Sequence, residues 1–216
     1  MINIVKEIGR GMEAKCFLLD DGRVYKKFYI PLRVSATERF SKLMKIKNKN
    51  FKFPTELIYD DKNFYGYIMG YVKGDTLFNI FSKIDLNDMI IHAKTFEESI
   101  VDISSSNLLL QDFSSKNVMY NDKDGFIGID TDNYKMNESS LDTNLDYFNR
   151  LFITCLSDNI IMNRNTNYVL ERANEYRSMK YNTYEIILSV KEYLENIYKM
   201  EFSSIEDFNN KIGKRV

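Results

Sequence analysis

The chain has 216 residues, 30 Lys and Arg against 31 Asp and Glu, a formal charge of −1 and 44% hydrophobic residues. That is ample for a core in one large domain or two small lobes, and too balanced a charge for a nucleic-acid-binding field or a broadly basic membrane face. Two cysteines and a single histidine speak against a disulfide framework, a zinc site and histidine-based nucleophilic catalysis.

The N-terminus lacks a secretory pattern and no apolar run approaches membrane-spanning length, so a soluble, cytoplasmic protein without membrane insertion is expected. Residues 3 to 30 alternate between strand and turn signals. Gly9-Arg10-Gly11 marks the first turn, Lys15 to Leu19 a strand, Asp20 to Arg23 a turn and Val24 to Tyr29 another strand. This predicts a three-strand meander. Gly9 and Gly11 would let the backbone approach phosphate oxygens and donate N–H groups, although a plain hairpin turn also uses such glycines. A strand follows them, not a helix, so the Rossmann and Walker patterns do not apply. Lys26 and Lys27 point to opposite faces of their strand. Pro31 is read as the strand's end, and a helix is expected from Ser35 to Lys47, with Phe40, Leu43, Met44 and Ile46 on its apolar side.

Leu57 to Tyr59, the turn Asp60 to Asn63 and Phe64 to Val72 read as a second hairpin. Together the strands predict a five-stranded antiparallel sheet with one helix. From Asp75 the pattern is mostly helical, and Leu86, Met89, Ile90, Ala93, Phe96, Ile100, Val101 and Ile103 recur at helical spacing. His92 lies beside that face and reads as a packing or surface residue.

Leu108 to Leu110 then carry the chain to Asp112, and Asn117 follows. Val118 to Tyr120 and Phe126 to Ile129 flank the turn Asn121 to Gly125, and the second strand ends at Asp130. A loop, a hairpin and a strand end are thereby expected to bring Asp112, Asn117 and Asp130 together. Two carboxylates and an amide oxygen suit a hard cation such as Mg²⁺, with one carboxylate left to take a hydroxyl proton. The alternative is three ordinary turn residues. Beyond a polar segment, helices are expected from Asn144, over Asn167 to Arg177, Tyr184 to Tyr198 and Ser204 to Ile212. The last opens with a capping-box pattern at Ser203 to Glu206.

In this order the motifs resemble the protein-kinase-like superfamily, which includes protein kinases and the aminoglycoside and choline kinases. The resemblance covers roughly residues 5 to 156 and rests on Gly9-x-Gly11, Val24-Tyr25-Lys26-Lys27-Phe28, a helix glutamate, Gly74-Asp75-Thr76-Leu77, Asp112-x-x-x-x-Asn117 and Asp130 after an apolar strand. It implies an α+β, bilobal protein-kinase-like fold. Residues 1–72 would form an N-lobe built on the five-stranded antiparallel sheet, and residues 73–216 a mainly helical C-lobe. It implies an ATP- and Mg-dependent kinase that moves the γ-phosphate to a hydroxyl. Gly9 and Gly11 would cover the ATP phosphates and Lys26 would hold them. Met69 and Tyr71 would lie in the adenine-binding hinge. Asn117 and Asp130 would ligate Mg²⁺, and Asp112 would be the catalytic base. Glu38 would pair with Lys26, or else cap its own helix through Ser35-Ala36-Thr37-Glu38. Asp146, at the start of a helix, would bond to the catalytic-loop backbone.

The departures concern substrate. Ala14 replaces the third loop glycine, and Gln111 precedes the catalytic aspartate. Ser114 occupies the position where Ser/Thr kinases place a lysine, so Lys116 is assigned the missing charge. Asp130-Thr131-Asp132 replaces Asp-Phe-Gly, with Asp132 read as a solvated loop residue or, alternatively, a metal or substrate contact. The segment that docks peptides is short. These features imply a small Ser/Thr-type protein kinase. The alternatives are a small-molecule kinase of the aminoglycoside or choline type and a pseudokinase serving as a nucleotide-binding or interaction module. The partners implied are ATP and a hydroxyl-bearing acceptor, without nucleic acid.

Overall fold

The strand and turn signals of the N-terminal third become five strands: β1 (Ile4–Arg10), β2 (Ala14–Leu19), β3 (Arg23–Arg33), β4 (Pro54–Tyr59) and β5 (Asn63–Gly70). In the computed structural model, which describes residues 2–136, 138, 141–160, 171, 174, 175, 178 and 182–213, these strands pair antiparallel in the order β1-β2-β3-β5-β4. The α+β class and the five-stranded antiparallel sheet are thus both present. Pro54 opens β4 at a sheet edge, where a missing N–H costs least.

Two expectations change here. β3 does not stop at Pro31 but runs on to Arg33. Its pairing with β5 skips from Lys27–Gly66 to Leu32–Phe64, and its pairing with β2 ends at Phe28. Pro31 therefore sits in a bulged stretch with no ladder partner on either side, the place where a proline is tolerated. The following helix is shorter than its apolar pattern implies. A 3₁₀ turn, Val34–Ala36, leads into α1 (Thr37–Leu43). After Leu43 the backbone bonds tighten: Lys45 N donates to Lys42 O at 3.1 Å and Ile46 N to Leu43 O at 3.1 Å, a 3₁₀-like unwinding. Phe40 and Leu43 remain buried, and Phe40 packs on Phe64 with ring centroids 4.6 Å apart. Ala14, Val24, Phe28, Phe40, Phe64, Tyr67 and Met69 form this sheet's apolar cluster.

The remainder is mainly helical. A two-residue strand, β6 (Asp75–Thr76), precedes the single turn α2 (Leu77–Ile80) and the long helix α3 (Leu86–Ser105). Asp85 caps α3 by accepting from Asn87 N at 2.8 Å and Asp88 N at 3.3 Å. Most of the expected apolar face of α3 is buried, but Val101 is exposed. Then come β7 (Leu108–Leu109), the hairpin β8 (Val118–Asn121) and β9 (Gly125–Gly128), β10 (Lys135–Met136), α4 (Leu141–Asn159), α5 (Thr183–Tyr198) and α6 (Ile205–Gly213). β6 pairs with β8, and β10 with β7. Phe96 of α3, Phe126 of β9 and Phe148 and Phe152 of α4 form the aromatic centre, with Phe96–Phe148 centroids at 5.0 Å and Phe126–Phe152 at 5.1 Å.

The α6 cap lies one residue later than the sequence pattern implied: Ser204 Oγ accepts from Asp207 N at 3.1 Å, and Asp207 Oδ2 accepts from Ser203 N at 3.0 Å. The expected helix from Asn167 to Arg177 lies almost wholly outside the described residues. The chain divides into two compact units, Met1–Lys73 with Ile129–Asp132, and Gly74–Gly128 with Asn133–Val216. The first unit thus includes a return of the chain after β9 that a single boundary after residue 72 does not contain. No described helix is long and apolar enough to cross a membrane.

Candidate functional site

In the first unit, β3 and β5 set Lys26 opposite Tyr67. The two strands approach closely because Gly66 (φ 147°) has no side chain. A Cβ there would lie 2.0 Å from the Lys26 carbonyl oxygen. Lys26 is buried, with its side chain 10% exposed, while Lys27 faces solvent. Its ammonium donates to the Asp130 carboxylate and to Oδ1 and Oδ2 of Asp132, the latter at 2.9 and 3.0 Å. Tyr67, fully buried, donates its hydroxyl to Asp132 Oδ1 at 3.0 Å. Arg39 donates to the Asp132 carbonyl, and Thr131 Oγ1 to the Lys52 carbonyl at 2.9 Å. These bonds tie Thr131 and Asp132 to the sheet unit.

The electrostatics follow from that burial. Loss of hydration disfavours the Lys26 cation, but the two neighbouring carboxylates outweigh it and hold its pKa above the ordinary value. Burial, with Asp132 alongside, pushes Asp130 up to about 6 despite Lys26. Asp132 is pushed upward by burial too, yet Lys26 and the hydrogen bonds it receives hold it below the usual carboxylate range. Burial and the adjacent carboxylates push the Tyr67 phenol well above 10.

Three sequence expectations meet this geometry. Lys26 and Asp130 are brought together. Asp132 is not a solvated loop residue: it is 5% exposed and bonded on both oxygens. Glu38 is not the partner of Lys26. It stands on the open side of α1, 77% exposed, and pairs with Lys42 one turn on at 2.9 Å. It is no capping residue either, because Ala36 occupies the N-cap without a side-chain bond. The shortness of α1 and the direction of Glu38 leave the lysine to the segment after β9.

Gly9 lies near the end of β1, opposite Cys16 of β2, and Gly11 in the turn that follows. Gly11 N donates to Ala14 O at 2.9 Å. A Cβ on Gly9 would meet nothing within 4 Å, and one on Gly11 only Ala14 O at 4.0 Å. The fold itself therefore does not demand glycine at either place. Met69 is packed into the apolar cluster of the sheet, and Tyr71 is exposed.

In the second unit, Asp112 adopts a left-handed backbone (φ 53°), a conformation that costs a non-glycine residue and persists only where neighbours enforce it. Asn117 does so in part: its Nδ2 donates to the Asp112 carbonyl at 2.8 Å and to Oδ2 at 3.2 Å. Phe113 stacks on Phe96 with centroids 6.1 Å apart, anchoring the loop to α3. Asp112 is exposed. The Lys116 ammonium lies over the Phe78 ring, 5.2 Å from its centroid. Asp112 and Ser115 border a cleft of about 420 Å³ that Tyr147, Arg150, Thr154 and Asp158 of α4 close from the other side. The hairpin turn is fixed by Asn121 Oδ1, which accepts from Lys123 N at 3.0 Å and Asp124 N at 2.8 Å. His92 stacks edge-on against Tyr120 and Phe126, a packing role.

Asn144 holds the backbone that leads into the loop. Fully buried, Asn144 accepts from Leu110 N at 2.9 Å and donates to Leu108 O and Ser104 Oγ, both at 2.8 Å. Asp146 pairs with Arg150 at 2.9 Å. A signal for Asn144 was available: it lies one turn before Phe148 on the buried face of an amphipathic helix, where an amide must find partners.

Among the described residues, no group of three or more His, Cys, Asp or Glu side chains is gathered to hold a metal. No protein-family model matches the chain, and no curated protein matches it.

Proposed function

We propose that the chain is an ATP- and Mg-dependent phosphotransferase with a bilobal protein-kinase-like fold, moving the γ-phosphate to a hydroxyl. The observation that carries this reading is the Lys26–Asp130 ion pair, formed across 104 residues of sequence. Its two members belong to separate motifs, a strand lysine and a strand-end aspartate. Lys26 would neutralise ATP phosphates, and the Gly9–Gly11 turn, open to any added Cβ, leaves its backbone accessible to them. The carboxylate of Asp130 suits Mg²⁺, which takes hard oxygen ligands and usually binds through one or two carboxylates plus the substrate's own phosphates. Bound there, the ion would supply charge neutralisation on the phosphates.

Asp112, exposed and fixed by Asn117, is the group to orient an acceptor hydroxyl and take its proton. The first reading of the acceptor is a protein Ser or Thr. The cleft of about 420 Å³ beside Asp112 favours a second, a small hydroxylated molecule, because it falls in the size range of small-ligand sites.

Incubation with γ-labelled ATP and Mg²⁺ tests the reading, with label sought on the protein itself, on lysate proteins and on metabolites. Thermal unfolding with and without Mg·ATP provides the binding arm. Label transfer that Asp112→Ala abolishes, while Mg·ATP still stabilises the variant, is the expected result. No stabilisation at millimolar nucleotide would sink the proposal, and binding without transfer to any acceptor would leave the pseudokinase.

A further inference from the structure

We infer that Asp132, braced by Tyr67, is the residue that positions Lys26, in place of a glutamate from α1. The inference rests on the kinase reading and adds to it a division of labour between two carboxylates.

The geometry separates their tasks. Asp132 meets the Lys26 ammonium with both oxygens, at 2.9 and 3.0 Å, and its side chain is 6% exposed. Asp130 shares the same ammonium but its side chain is 30% exposed, so it is the one with an open side. A single carboxylate cannot neutralise a buried lysine and give its charge to a cation at once. With two, Asp130 can turn to a metal while Lys26 keeps a counter-charge. An unpaired buried lysine would otherwise be costly.

Asp132 is also the better held of the two. Tyr67 donates to Oδ1 at 3.0 Å from a fully buried ring, and that ring lies 5.9 Å from the ammonium, within cation–π reach. The Asp132 backbone is fixed independently by Arg39, and its neighbour Thr131 by the Lys52 carbonyl. Glu38, the alternative anchor, is 77% exposed and engaged with Lys42. Asp132 and Tyr67 are positioning residues: they act on phosphate through Lys26.

The test compares Glu38→Gln, Asp132→Asn and Tyr67→Phe with the unmodified chain. Mg·ATP affinity is read from thermal-shift titration, and KM and kcat from phosphate transfer. Asp132→Asn is expected to raise the Mg·ATP Kd and KM and to lower kcat, with a loss of about 10- to 100-fold in kcat/KM, the scale seen when a supporting partner is removed. Tyr67→Phe removes one oxygen and is expected to cost about threefold, while Glu38→Gln leaves Kd and kcat within about twofold. A merely structural role would lower the nucleotide-free melting temperature and leave Kd unchanged. Should Asp132→Asn not fold, Tyr67→Phe carries the same comparison. Normal Mg·ATP binding and turnover in Asp132→Asn or, in its stead, Tyr67→Phe overturns the inference alone, as does a Glu38→Gln defect of equal size. An unmodified chain that neither binds Mg·ATP nor transfers phosphate overturns the kinase reading and the inference with it.

Discussion

The side-chain oxygen of Asn144 lies 2.9 Å from the backbone nitrogen of Leu110, 34 residues earlier in the chain. With its amide nitrogen on Leu108 O and Ser104 Oγ, this one side chain joins the start of α4 to the end of α3 and to the strand that leads into the Asp112 loop. Replacing it by alanine removes three buried hydrogen bonds. Asn144→Ala is expected to cost about 3 kcal/mol in urea unfolding. Asp146→Ala, which removes a partly exposed ion pair with Arg150, is expected to cost less, about 1 kcal/mol. Equal losses in the two variants would show that Asn144 is not the tether.

Gly66 and Gly9 make a second contrast. At Gly66 an added Cβ would collide with the Lys26 backbone at 2.0 Å, whereas at Gly9 it would meet nothing within 4 Å. Gly66→Ala is therefore expected to destabilise the sheet unit by about 3 kcal/mol or more, since β3 and β5 must part to admit it. Gly9→Ala is expected to leave the melting temperature nearly unchanged and to act on Mg·ATP affinity alone. Thermal unfolding with and without nucleotide reads both effects.

The third prediction concerns pH. Burial pushes Glu97 on α3 up to about 7, against the bonds it accepts from Thr183. Its folded pKa thus exceeds its unfolded one, so the folded state holds the proton more tightly. The resulting stability is fully present below about pH 4.5, declines as pH rises and is gone above about pH 7. The shift corresponds to about 3 kcal/mol. Glu97→Gln mimics the protonated form and is expected to flatten this part of the stability profile, measured by urea unfolding at a series of pH values. A slope that survives the substitution would assign it to another group.

Lys116 offers a fourth. Its ammonium rests over the exposed Phe78 ring at 5.2 Å, a contact worth about 0.5–1 kcal/mol at an exposed site. Lys116→Ala is accordingly expected to change stability little. If Lys116 supplies the charge that Ser114 lacks, kcat falls about 100-fold while Mg·ATP affinity holds. Intact turnover in this variant would remove Lys116 from the chemistry.

What was legible in the sequence was local. Strand-like runs and turn residues located the five strands, and the 20-residue α3 announced itself through its apolar stripe. Lys26 and Asp130 could be selected because a short apolar strand around each fixes its context. Partnerships over long sequence distances were not legible. Glu38 points to solvent and takes Lys42 one helical turn away, which leaves its foreseen role to Asp132, while Asn144 tethers the backbone before Asp112 and Asp146 pairs with Arg150 one turn on. A charged residue on a helix surface always has that nearby option. A buried polar residue does not, and its position on an apolar face, or two residues beyond another aspartate, was the only hint.

The shared ammonium of Lys26 has one more consequence. Its two carboxylates, Asp130 and Asp132, are separated by a single residue and travel on one short segment. Where a lysine depends on a glutamate carried by a mobile helix, swinging that helix outward can switch the lysine off. Here α1 gives the ammonium no carboxylate; its Arg39 instead bonds the Asp132 carbonyl, and its Phe40 packs into the sheet's apolar cluster. Moving it would disturb packing around Phe40 and release the Asp132 backbone from Arg39, without removing either carboxylate from the segment after β9. Any influence of α1 on the ammonium therefore runs through the Asp132 backbone, and α1, with no carboxylate to deliver, is only seven residues long.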